Sequence, residues 1–128
     1  MTMTPAADIH VISTTADLAA FCHKLAGDTF ITVDTEFLRE TTYYPKLCLI
    51  QIAGAEHAAL VDPLAEGLSL QPFLDLMANE SVLKVFHAAS QDIGSLVNMA
   101  NLVPQPGFDT QIAAMVCGFG DQVGYEAI

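Results

Sequence analysis

Apolar residues recur along this chain at two spacings, and the switches between them divide it into elements. After a short extended piece at Ile9 to Ile12, residues Leu18, Phe21, Cys22 and Leu25 repeat every three or four positions until Gly27, the pattern of one helix face. Thr14 and Asp17, three residues apart ahead of that stripe, make a capping-box-like start. Three extended runs follow: FITVDTEF from Phe30 to Phe37, LCLIQIA from Leu47 to Ala53, and AALVDP from Ala58 to Pro63. Their short length and β-branched content favour strands. Gly54 to Glu56 is short enough to close the second and third runs as an antiparallel hairpin. The segment RETTYYPK after Leu38 reads as a polar and aromatic loop that turns the chain back.

The pattern then becomes helix, strand, helix, strand, helix. Leu70, Phe73, Leu74 and Met77 form one helical stripe, VLKVFH from Val82 to His87 a buried strand, and Ile93, Leu96, Val97 and Ala100 the next stripe. Phe108 and Asp109 lead into a last helix through Ile112, Met115 and Val116, stopped at Gly118. A hairpin followed by alternating strand and helix predicts an α/β protein, a mixed sheet covered by helices in three layers. With no internal repeat, low-complexity tract or linker, residues 1–128 read as one domain.

Composition agrees with a packed protein: 52% of residues are hydrophobic and only 15% charged. Apolar stretches are too short to span a bilayer, and no basic residue precedes an apolar run at the start, so no membrane partner and a cytoplasmic location are expected. Cys22, Cys48 and Cys117 are widely spaced among apolar neighbours, which suits small buried side chains in a reducing compartment. The net charge of −11, set by 15 acidic residues against Lys24, Arg39, Lys46 and Lys84, works against a non-specific nucleic-acid binder. Carboxylates that hold divalent cations weaken that objection, because the ions carry positive charge that residue counting omits.

The carboxylates themselves point to such ions. Side chains alternate along a strand, so Asp34 and Glu36 leave one face while Val33, Thr35 and Phe37 leave the other. Two neighbouring carboxylates repel unless a cation compensates or one takes up a proton, which suggests a hard-oxygen metal site. Taken by itself, the pair is better explained as a strand with one solvated face. The segment VLKVFHAASQDIGSL adds a second centre, placing His87 at a strand end and Asp92 in the first turn of the following helix. Ligands of α/β sheets gather at such strand ends. Asp92 also suits a helix amino terminus for its own sake, and His87 suits a core or loop position.

VDTEF, TYYPKLCLIQ, KVFHAASQDI, FDTQIAA and GYEAI, in that order and spacing, resemble ribonuclease D of the DEDD exonuclease superfamily from about Phe30 to the final residue. The resemblance implies a ribonuclease H-like fold and metal-dependent removal of nucleotides from RNA 3′ ends, as in transfer-RNA maturation. It places Asp34 and Glu36 in the first exonuclease motif and Asp92 in the second, as catalytic residues and ligands of Mg2+ or Mn2+. The family's third motif, Tyr-x-x-x-Asp, is expected after GYEAI, so the chain reads as a partial exonuclease domain that alone has little activity. Tyr125 matches the Gly-Tyr ahead of that motif.

By the same resemblance, Phe37 and Leu38 wedge against the terminal bases and His87 contacts substrate phosphate or orders the site. Phe37 as plain core is an open alternative, and Tyr43 and Tyr44 could stack on bases but fit better as packing for the hairpin. Asp109 is expected to cap the final helix rather than bind metal. Ser90 stands where many relatives carry arginine, which removes one basic contact to RNA. A module of this fold that binds RNA or protein without cleaving it is the competing reading, and neither reading fixes the oligomeric state.

Overall fold

In the computed structural model, which describes residues 10–38 and 46–128, the elements run β1 (His10–Ile12), α1 (Thr15–Leu25), β2 (Phe30–Leu38), β3 (Lys46–Ala53), β4 (Ala58–Val61), α2 (Gln71–Ala78), β5 (Leu83–Phe86), α3 (Ser90–Ala100), β6 (Gly107–Asp109) and α4 (Thr110–Val116), with a closing 3-10 turn at Tyr125–Ala127. Ile9 and the loop from Arg39 to Pro45, with Tyr43 and Tyr44, lie outside the described residues. The strands form one mixed sheet in the order β1-β4-β3-β2-β5-β6. β2, β3 and β4 pair antiparallel, whereas β1 joins β4, β5 joins β2 and β6 joins β5 in parallel. The α/β class and the mixed sheet expected from the sequence are therefore present.

Local chemistry explains the element ends. The Thr14 hydroxyl accepts from the Asp17 N–H at 3.2 Å, satisfying one of the free donors at the start of α1. Gly54 turns β3 into β4, its N–H donating to His57 O at 2.8 Å. A side chain there would drive its first carbon to 2.6 Å from Leu25 and into the Asp28 carboxylate, which accepts from the Ala55 N–H. A larger residue there would have to displace the buried Leu25 side chain and the Asp28 carboxylate.

Alternation decides what each face of the sheet carries. Ile31 and Val33 of β2, Ile50 and Ile52 of β3, and Ala59 and Val61 of β4 join Leu18, Phe21 and Leu25 of α1 and Phe73, Leu76 and Met77 of α2 in the core. On the other face, Thr32, Asp34, Gln51, Leu60 and Val85 line an open cavity of about 530 Å3. Among the described residues no helix is long and apolar enough to cross a membrane.

Three expectations about burial are corrected. The inward face of α3 runs through Asp92, Ile93 and Leu96, leaving Val97 and Ala100 exposed, because Asp92 and Leu96 share one face a turn apart. In α4 only Ala114 is buried, while Ile112, Met115 and Val116 are exposed. Of the cysteines, Cys22 is buried, Cys48 half-buried and Cys117 exposed beyond the end of α4. Lys84 departs further from a surface cation. It is fully buried, and its Nζ donates to Asn79 O and to Gln105 O, the latter at 2.9 Å. Burial lowers its pKa, partly opposed by Glu80.

Phe73→Ala is expected to destabilise the fold by about 3–5 kcal/mol, since Phe73 is fully buried between helix and sheet. Val116→Ala, at a residue 80% exposed, should change it by less than about 0.5 kcal/mol. Urea unfolding of the two variants measures both.

Candidate active site

β2 delivers its carboxylates as its period of two requires: Thr32, Asp34 and Glu36 are exposed on the open face, while Val33 and Thr35 turn to the helix side. The Thr35 N–H donates to Asp34 Oδ1 at 3.0 Å, which limits the rotation of that carboxylate. Beyond Asp34 the pairing with β3 changes step. Glu36 lies opposite Leu49 but Phe37 opposite Leu47, so Cys48 is an extra residue in β3, and its thiol donates to Glu36 O at 3.3 Å. Such a bulge bends the pair and re-aims side chains next to it.

Asp92 reaches this strand from the other side of the chain. Parallel pairing of β5 with β2 covers only Phe30 to Thr32, so among the described residues the edge of β2 at Thr35 has no strand neighbour on that side. α3 begins there. Asp92, in its first turn and only 5% exposed, accepts a hydrogen bond from the Thr35 hydroxyl. Burial pushes the Asp92 carboxyl up to about 6, with the Thr35 hydroxyl and N–H opposing the rise and the charges of Asp34 and Glu36 adding to it.

Asp92 thus lies against the residue between Asp34 and Glu36, but the three carboxylates do not share one face of β2. Asp34 and Glu36 stand on the open side, and Asp92 lies at the strand edge against the residue between them. Among the described residues no three His, Cys, Asp or Glu side chains form a cluster tight enough to hold an ion unaided. The donor chemistry still fits a small hard cation, which commonly takes one or two carboxylates and completes its shell with water and substrate phosphate. Such an ion would also offset the repulsion of Asp92 by Asp34 and Glu36.

The other predicted site residues have separate places. Phe37 is half-buried and Leu38 is 48% exposed at the end of β2. His87 is occupied at both ring nitrogens, Nδ1 with the Thr110 hydroxyl at 2.8 Å and Nε2 with Val123 O at 2.9 Å, and the Tyr125 ring meets it edge-on at 5.8 Å. His87 thereby ties the end of β5 to Thr110 and Val123 beside the cavity. Asp109 caps α4 as expected, accepting from the N–H groups of Gln111 at 2.8 Å and Ile112 at 3.4 Å. Thr35 is the site residue that sequence reasoning missed. Its only signal was its position between the two acids, and threonine is an ordinary strand former.

A family model described as 3′-5′ exonuclease matches residues 9–128. The chain is 58% identical over 118 residues to a ribonuclease D of Nitrobacter hamburgensis, a match covering 92% of this chain and 31% of that protein. It is also 58% identical over 123 residues to a ribonuclease D of Jannaschia sp., covering 93% of this chain and 32% of the relative. Among solved structures, Escherichia coli RNase D, described as an exoribonuclease involved in structured RNA processing, superposes with a TM-score of 0.88 at 37% identity, over 94% of this chain and 32% of that one. The chain thus spans about a third of the length of the relatives it matches.

The raised pKa of Asp92 has a consequence for stability. Its native value of about 6 lies above the usual 3.8, so between roughly pH 4 and 6 the native state holds more protons than the unfolded one, and stability falls as pH rises through that window. Without metal, Asp92→Asn should remove this slope and stabilise the fold at pH 7 by about 1–3 kcal/mol. Urea midpoints of parent and variant at pH 4.5, 5.5 and 7 check the direction.

Proposed function

The chain belongs to the 3′-5′ exonuclease family, and on that footing we propose that it is the metal-binding part of an exoribonuclease that removes nucleotides stepwise from RNA 3′ ends. The observation that carries this reading is the approach of Asp92, at the start of α3, to the strand segment Asp34-Thr35-Glu36. Carboxylates from two separate elements at one strand end suit a divalent ion better than a solvated strand face, which would leave no reason to bury Asp92.

In this reading Asp34, Glu36 and Asp92 hold Mg2+ or Mn2+, ions that hard-oxygen sites bind alike. Divalent ions held by these carboxylates would supply Lewis-acid stabilisation of the oxygens that attack and leave in phosphodiester hydrolysis. The chain's own part is preparation. The Thr35 hydroxyl keeps Asp92 turned to β2 and the Thr35 N–H holds Asp34, so both carboxylates are oriented before RNA arrives. Phe37 and Leu38, directly beyond Glu36, are placed to meet the terminal bases. His87 acts by holding Thr110 and Val123 rather than by touching phosphate. Precursor transfer RNA in the cytoplasm is the proposed substrate and setting, as the sequence resemblance implies.

One observation favours a second reading, a module of the same fold that binds without cleaving. The net charge is −11, and one of four basic side chains, Lys84, is buried and unable to meet a phosphate. Metal dependence separates the two readings.

In a protein of the relatives' length, trimming of a 5′-labelled RNA should give a ladder shortening from the 3′ end, and only with Mn2+ or Mg2+. Asp34→Asn should lower the rate at least about a hundredfold with the fold intact, as expected for loss of a group acting in the transition state. Equal trimming by parent and variant would remove the metal role of Asp34. Binding of the same RNA without cleavage by the parent would favour the second reading.

A further inference from the structure

Between β5 and α3 the backbone takes a path that its own residues do not favour. Ala88 has a φ of +55°, in the left-handed region where a non-glycine residue is strained. Ala89, the residue that starts α3, has no side chain with which to cap it. A helix start of this kind needs donors satisfied from elsewhere.

Asp109 supplies the acceptors from across the sheet. It stands at the end of β6, paired with Phe86 of β5, and its carboxylate faces two helix starts at once. Oδ1 accepts from the N–H of Ala88 at 3.0 Å as well as from Gln111 and Ile112, and Oδ2 accepts from the N–H of Ala89 at 2.7 Å. Burial would raise the pKa of this carboxyl, but the four backbone donors outweigh it and hold it low. Capping α4 alone needs one oxygen of any short polar side chain. The second oxygen is spent on Ala89, three residues before Asp92.

We infer that Asp109 is a positioning residue for the metal site: by clamping the Ala88–Ala89 turn it sets where α3 begins and so holds Asp92 against Thr35. It acts through Asp92 and touches neither ion nor RNA. The inference rests on the metal-binding reading above and adds a residue to it.

The test uses Asp109→Ser, which can still cap α4 but cannot span both helix starts, and the milder Asp109→Asn, which keeps Oδ1 and replaces the oxygen facing Ala89. Mn2+ affinity of the chain is measured by titrating free Mn2+, and amide spectra are recorded without metal. The clamp predicts about a tenfold weaker Mn2+ affinity in Asp109→Ser, the scale seen when partners that orient metal ligands are removed. Asp109→Asn should lie between it and the parent. It also predicts shifted Thr35 and Ala89 amides, with those of Leu18 and Ile50 in the core unmoved. A residue that merely caps α4 would disturb Gln111 and Ile112 alone. Asp92→Asn separates the two claims. If it leaves Mn2+ affinity unchanged, the metal reading itself fails. If it weakens binding while both Asp109 variants bind like the parent, the metal reading stands and the clamp is overturned. Should Asp109→Ser not fold, parent-like Mn2+ affinity in Asp109→Asn overturns the clamp and weakened affinity supports it.

Discussion

Asp92 is a buried carboxylate beside two others, and among the described residues its side-chain partner is a neutral hydroxyl. What holds it is geometry: a hydroxyl from Thr35, a helix start aimed at the free edge of β2, and a turn tied down by Asp109. Ionising a group in such surroundings works against folding, so the fold keeps a local disadvantage that only something positive from outside can cancel. Perturbed acids of this kind concentrate at functional sites. The core of Leu18, Leu25, Phe73 and Met77 supplies the stability against which this strained corner is maintained.

Much of that arrangement could be read in the residue order. The alternation in FITVDTEF places Asp34 and Glu36 on one face because strand geometry allows nothing else, and the Thr14–Asp17 spacing marks the start of α1 for an equally local reason. The hairpin through Gly54 and the run of strand and helix after it lead to a mixed sheet by simple connection rules. Family likeness added which acids to watch.

Contacts across the sheet were not legible. Thr35 lies 57 residues from Asp92, and nothing local marks its hydroxyl as a partner. His87 looks free in sequence, yet its partners Thr110 and Val123 come from 23 and 36 residues away. Lys84 counts as surface charge until Asn79 and Gln105 are seen to wrap its ammonium group. The stripe Ile93, Leu96, Val97 and Ala100 reads as buried by period, but a helix buries only the arc its neighbours cover. Here that arc was rotated to include an acid.

The extra residue at Cys48 has a mechanical meaning for the hairpin. Sliding β3 by one position along β2 would turn β3 over, sending Ile50 and Ile52 out to the cavity and Gln51 against the core. A regular ladder resists such sliding only through the side chains it buries. A kink lodged opposite Glu36 and Phe37, fastened by its thiol to the Glu36 carbonyl, works as a detent: the strands can seat at one position and no other without unfastening it. The face that β3 turns to the core is thereby secured by its own kink.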